Sequence, residues 1–173
     1  MKKSDLGKRI MIIGSAGSGK TTLSDKLSKI LDIEVIHLDR LYWKPNWTIT
    51  PEEEWKMVME EACNKDSWII DGNYRKTIEM RLSKADTVIF IDKNRWSCLH
   101  GVLKRIRKNK GRQRSDMGEG CIEKYDWSFL WWVFSFPRKS RPKLIDSLNK
   151  YKSVTQIVLK SNKDIENFLN NID

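Results

Sequence analysis

Residues Gly14-Ser15-Ala16-Gly17-Ser18-Gly19-Lys20-Thr21 spell a complete G-x-x-x-x-G-K-[ST] loop, and its flanks leave few folds open. Ahead of it, residues 9–13 (Arg-Ile-Met-Ile-Ile) read as a short buried strand. Behind it, apolar residues at Leu23, Leu27, Ile30 and Leu31 have helical spacing. Strand, glycine loop and helix are what phosphate binding requires. The glycines let backbone N–H groups turn inward, and the helix N-terminus adds partial positive charge. Lys20 can then reach the β- and γ-phosphates, and the Thr21 hydroxyl can ligate Mg²⁺. The nucleotide-contacting set runs from Gly14 through Thr21 to Thr22. The alternative, a glycine-rich turn matching by chance, is weakened by the strand and helix around it.

A chain of 173 residues is long enough for one domain with a single good core. The expectation is one domain over 1–173, with 107–118 as a mobile lid. The formal charge is +10, and much of it is clustered. Cys63, Cys98 and Cys121 are odd in number and far apart, so neither a disulfide framework nor a zinc site is expected. The basic N-terminal stretch from Met1 to Arg9 precedes an apolar run too short for a signal sequence. Nothing approaches the roughly 18 apolar residues of a membrane span. The expectation is a soluble, cytoplasmic protein with no membrane partner.

Strand-like runs follow at residues 34–38, 67–70, 87–91 and 154–159. Each is short and mostly apolar, which predicts parallel strands covered on both faces. Helical patterns lie between them. Thr50 is the expected N-cap of a helix whose first turn carries Pro51 and three glutamates. Trp96, Leu99, Leu103 and Ile106 predict the buried stripe of another. Residues 122–136, 141–148 and a terminal segment after Ser161 also read as helices. Strands alternating with helices indicate a doubly wound α/β domain, with ligands at the carboxyl ends of the strands. Asp39, Asp71 and Asp92 stand at three such ends.

Asp71 follows a hydrophobic strand and can hold Mg²⁺ opposite Thr21; an Asx turn or helix cap is the competing reading. Asp39 can accept the proton of an acceptor hydroxyl or orient the acceptor, with Tyr42, Trp43 and Trp47 as an aromatic wall; a helix cap followed by core aromatics is equally open. His37 reads as a strand residue. Lys104 to Arg114 contains no acid. It can be a lid whose arginines clamp the transferring phosphoryl group, a nucleic-acid backbone site, or a solvated basic face. The neighbouring P-loop favours the lid over DNA. The aromatics Tyr125, Trp127, Phe129, Trp131, Trp132, Phe134 and Phe136 read mainly as core packing; an exposed part stacking on bases is the lesser alternative.

Taken together, the P-loop, Asp71-Gly72-Asn73-Tyr74-Arg75 and Gly111-Arg112-Gln113-Arg114 resemble the small P-loop kinases of the adenylate and shikimate kinase group. More closely, His37-Leu38-Asp39-Arg40-Leu41-Tyr42-Trp43-Lys44-Pro45, Ile70-Asp71-Gly72-Asn73-Tyr74 and Arg138-Lys139-Ser140-Arg141-Pro142 resemble the adenylate-kinase-related bacterial DNA topology modulation proteins. That resemblance covers nearly the whole chain. It implies a five-stranded parallel sheet in the order 2-3-1-4-5, ATP with Mg²⁺, and phosphoryl transfer or a related nucleotide-linked role. Arg75 matches the arginine that grips acceptor phosphate in the group. Arg105 matches the second of two lid-helix arginines, with Gly101 in the place of the first.

The sequence thus points to an ATP-dependent kinase of a small acceptor: a nucleoside, a nucleotide or another metabolite. Lys20 and Thr21 bind ATP·Mg²⁺, Asp71 assists the metal, and Asp39 orients or deprotonates the acceptor. Arg75 binds the acceptor, while Arg105, Arg112 and Arg114 clamp phosphates. The rival is a nucleic-acid-associated ATPase affecting DNA topology. A GTPase switch is disfavoured, because Asp92-Lys93-Asn94-Arg95 has the wrong order for a guanine motif.

Overall fold

Burial of the strand before the glycine loop on both its faces sets up both layers of the molecule. The structure is a computed structural model that describes residues 2–172; Met1 and Asp173, the ends of the expected domain, lie outside the described residues. The chain runs through β1 (Arg9–Gly14), α1 (Lys20–Leu31), β2 (Val35–His37), α2 (Leu38–Tyr42), a hairpin of β3 (Trp43–Lys44) and β4 (Thr48–Ile49), and α3 (Glu52–Asn64). It continues with β5 (Trp68–Asp71), α4 (Ile78–Leu82), β6 (Thr87–Ile91), α5 (Arg95–Asn109), α6 (Trp127–Lys139), α7 (Arg141–Lys150), β7 (Thr155–Leu159) and α8 (Asn162–Asn170). Five strands form one parallel sheet, ordered β2-β5-β1-β6-β7. Counted among themselves in chain order, they read 2-3-1-4-5.

Successive side chains of a strand point to opposite faces. Ile10 and Ile12 of β1 therefore pack with Leu23 and Leu27 of α1. Met11 and Ile13 join Trp55 and Met59 of α3, Trp68 of β5 and Leu144 of α7 on the other face. Each such side chain stabilises by about 1.5–3 kcal/mol when fully buried. Among the described residues no helix is long and apolar enough to cross a membrane, and all three cysteines are free.

Several sequence expectations shift. β2 ends at His37, so Asp39 sits in the first turn of α2 rather than at a strand end. Thr50 does not cap α3; its hydroxyl is bonded to Leu41 O and Tyr42 O, and Pro51 takes the cap position. On α5 the buried stripe is Cys98, Val102 and Ile106, while Trp96 is 68% exposed and Leu103 is also exposed. Residue 122 does not begin a helix, because Ile122 pairs with Gln113 in a β-bridge. α6 starts later, with the Asp126 carboxylate accepting from the Ser128 and Phe129 N–H groups at 2.8 and 3.1 Å. β7 lies at the sheet edge and is largely exposed apart from Leu159.

The aromatic run is core only in part: Phe136 is buried in one core cluster and Phe129 packs against another. Leu130, Val133 and Phe136 form the inner stripe of α6, leaving Trp127 82% and Trp131 61% exposed. Trp131 stacks on Phe134, which meets Trp96 edge-on with Arg95 over its ring. The third strand-end acid, Asp92, is held bidentately by Arg141, both bonds 2.7 Å. It ties β6 to α7.

Candidate active site

Where β1, β2 and β5 end, the chain opens a cleft of about 1110 Å³. The glycine loop forms its floor and is splinted from three sides. Asn73, just after β5, accepts from the Gly14 N–H at 3.0 Å and donates to Gly14 O at 2.8 Å. Lys93 Nζ, after β6, donates to Ser18 O at 2.7 Å. Lys20 Nζ donates to Ser15 O at 3.1 Å. Gly14, Ser15 and Ser18 are buried in the loop, while Ala16, Gly17, Gly19, Lys20, Thr21 and Thr22 line the cleft. The Ser18 hydroxyl is buried with no hydrogen-bond partner in the chain.

A further contact is main chain against main chain. Gly17, with φ of +73°, lies on Gly101 of α5. A Cβ on Gly101 would stand 2.2 Å from Gly17 O, and one on Gly17 would stand 2.2 Å from Cys98 O. This is why a glycine occupies the middle of a helix, where it costs about 1 kcal/mol relative to alanine. Gly101→Ala should lower stability by about 1–3 kcal/mol through overpacking and weaken nucleotide binding together with it. Thermal midpoints and nucleotide titration check this; unchanged values in both would show that the loop yields freely.

Around Thr21 the polar groups converge. Its Oγ1 is 2.9 Å from Asp71 Oδ2 and 3.2 Å from Asp116 Oδ2. Asp71 also faces His37 Nδ1 at 3.2 Å, and His37 Nε2 faces Asp25 at 3.3 Å. Burial works to lower the His37 pKa, but the hydrogen bond and charge of Asp71, backed by Asp25 and Asp116, outweigh it and raise it. The hydroxyl and carboxylate oxygens form a hard donor set suited to Mg²⁺. No group of three or more His, Cys, Asp or Glu suited to a metal occurs among the described residues.

Opposite the loop sits Asp39, enclosed by protein yet open to the cleft. Tyr74 OH donates to its Oδ1 at 2.6 Å. Enclosure raises the Asp39 pKa against the pull of Tyr74 and Lys20. Tyr74 has φ of +28°, a strained backbone for an aromatic residue. Arg81 holds it there. This fully buried guanidinium donates to Gly72 O at 2.7 Å, to Tyr74 O at 3.0 Å and to Asn73 O. Burial lowers its pKa to about 10.

Beyond α5 the chain folds over the cleft. Arg114 is buried, bonded through Nε and Nη2 to Asp116 at 2.8 and 2.6 Å and through Nη1 to Glu123 at 2.9 Å. Burial lowers the Arg114 pKa, but Asp116 and Glu123 outweigh it and raise it overall. Glu123 also reaches Arg105 Nη2 at 3.4 Å, while Arg105 Nε is buried without a partner. The segment is pinned to the β3–β4 hairpin: the Trp47 indole donates to Ile122 O and Cys121 Sγ donates to Lys44 O, each at 3.3 Å.

The cleft thus gathers Lys20, Thr21, Asp39, Asp71, Arg105 and Arg114. It does not gather Arg75 or Arg112. Arg112 is exposed and lies off the cleft wall. Arg75 is exposed in a separate groove of about 320 Å³ beside Lys143 and Lys150. A 3₁₀ turn (Arg75–Thr77) directs it there. Sequence reasoning passed over Asp116, Glu123, Asn73 and Arg81, and read His37 as strand alone. The one available signal for the first two was the abrupt return of acids after the basic run.

No family model matches the chain, and no curated protein does. Solved structures do. The shikimate kinase from Acinetobacter baumannii in complex with shikimate aligns with a TM-score of 0.58 at 15% identity, covering 96% of this chain and 90% of that one. The shikimate kinase from Bacteroides thetaiotaomicron aligns with a TM-score of 0.50 at 16% identity, covering 94% of each. The chain therefore has the P-loop fold of the small kinases.

Proposed function

We propose that this protein is an ATP- and Mg²⁺-dependent phosphotransferase that acts on a hydroxyl of a small molecule. The observation that carries this reading is one cleft holding both a complete phosphate loop and, facing it, the Asp39 carboxylate. The residues present fit the nucleotide: Gly17, Gly19, Lys20, Thr21 and Thr22 line the cleft at the N-terminus of α1, which suits phosphate oxygens. Thr21 and Asp71 would hold the metal, with Asp116 beside them. When bound, the magnesium nucleotide supplies the γ-phosphoryl group and neutralises part of its charge. In the transfer, the acceptor oxygen bonds to the γ-phosphorus, the bond to the β,γ-bridging oxygen breaks, and ADP leaves. Asp39 takes the hydroxyl proton at Oδ2, since Tyr74 already occupies Oδ1, and its raised pKa strengthens it as a base.

The chain acts in this reading as a single kinase-like domain whose segment 107–118 is the lid. The motif resemblance to the DNA topology modulation proteins supports an ATP-linked role. A DNA-binding role for the basic run is not favoured, because Arg105 and Arg114 turn inward onto Glu123. ADP release measured over a panel of small hydroxyl compounds, with and without DNA, tests the proposal. Stimulation by DNA alone would overturn it.

Asp39 and Asp71 should separate in the same assay. Asp39→Asn keeps the oxygen that Tyr74 donates to, so ATP affinity should hold while turnover falls about 10²-fold. Asp71→Asn should weaken Mg²⁺-dependent nucleotide binding itself. Equal losses of nucleotide affinity in the two variants would contradict the assignment.

A further inference from the structure

We infer that the acceptor is a hydroxyl-bearing ring compound that carries no negative charge; the inference rests on the phosphotransferase reading and narrows it. An anionic acceptor, a carboxylate or a phosphate ester, needs a free cation on the acceptor side. Each arginine that could serve is already committed. Arg114 is shared between Asp116 and Glu123. Arg105 is partnered by Glu123 and lies over the Phe129 ring. Arg81 is consumed by three backbone carbonyls. Arg75 faces the other groove. Lys20 belongs to the phosphate loop. The remaining cleft lysines, Lys108 and Lys124, are solvent-exposed.

The cleft carries as many carboxylates as cations along its walls. Seating the nucleotide's phosphates already adds negative charge to it. A second anion beside Asp39 would meet repulsion, with Arg114 already committed to two carboxylates and Arg105 to Glu123, and buried ion pairs are not surrendered cheaply.

The remaining surface suits an uncharged ring. Trp43, Trp47 and Tyr74 line the cleft with Asp39, and Trp43 and Trp47 meet edge-to-face with centroids 5.6 Å apart. Phe129 and Trp132 line it too, stacked 5.8 Å apart with planes at 16°. Flat apolar faces cover the faces of a sugar or a base, and Asp39 Oδ2 accepts from a ring hydroxyl.

The test uses matched pairs with the full chain and Mg²⁺: adenosine and adenosine 5′-monophosphate, thymidine and its 5′-monophosphate, glucose and glucuronate, methyl shikimate and shikimate. ADP release with ATP reports turnover, and quenching of tryptophan fluorescence with ADP present reports binding. The uncharged member should be favoured at least tenfold in the pairs that respond, and Trp43→Ala should weaken its binding about tenfold while sparing ATP. Equal or better use of the anionic members overturns the inference and leaves the phosphotransferase reading standing. Binding of uncharged members without turnover keeps the inference and sinks that reading. Absence of binding by every compound overturns both.

Discussion

Lys20→Ala leaves a folded protein whose ATP turnover is about 10³-fold lower. The side chain stands at the first position of α1 and makes one hydrogen bond, to Ser15 O. Its removal strips no core contact. What is lost is the ammonium that, in the proposed reaction, faces the charge developing on the transferred group. Removing a single preorganised donor from such a site commonly costs 10²–10³-fold, and charge-stabilising cations in phosphoryl transfer are worth more. Circular dichroism establishes the fold, and ADP release establishes the rate. A folded variant with undiminished turnover would remove the phosphate loop from the mechanism.

Arg81→Met should destabilise the protein by about 3–5 kcal/mol. Methionine fills much of the volume of the arginine stem but leaves the carbonyls of Gly72 and Asn73 without the Arg81 donor, while Tyr74 O keeps the N–H and hydroxyl of Thr77. Hydrogen bonds from a charged group are each worth about 1.5–3 kcal/mol, and relief from burying the cation offsets part of the sum. Two of these residues brace the cleft: Asn73 bonds Gly14, and Tyr74 bonds Asp39. The variant should therefore also lose acceptor-dependent turnover when assayed well below its melting point. Arg81→Lys should recover part of the stability, since an ammonium reaches fewer of the carbonyls. A urea midpoint equal to that of the parent protein would refute the account.

The fold was legible because local signals agreed. Glycine loop, apolar strands and helical spacing all pointed to one parallel sheet, and the motif resemblance supplied its order. Asp71 facing Thr21 followed from the same logic. The failures have physical causes. Arg75 and Arg81 both follow the same strand, and only the 3₁₀ turn between them decides which one turns inward. On α6 the aromatic residues drew attention, yet the inner stripe is set by Leu130, Val133 and Phe136. Volume and hydrophobicity do not say which side of a helix finds a neighbour. Asp116 and Glu123 reach the site through a loop without periodicity, and no spacing rule anticipates where such a chain returns.

The bare contact between Gly17 and Gly101 bears on how such a fold can diverge. Most seams inside a protein are side chain on side chain, and drift adjusts them by small changes of size. This one has no side chain to exchange. A Cβ at either position would press the phosphate loop and α5 apart, so the spacing between them is retuned only at a cost in stability. Innovation in substrate choice is thereby channelled to the opposite wall. There the hairpin indoles and the rings of α6 can be traded singly, while the phosphate-handling half stays as it is.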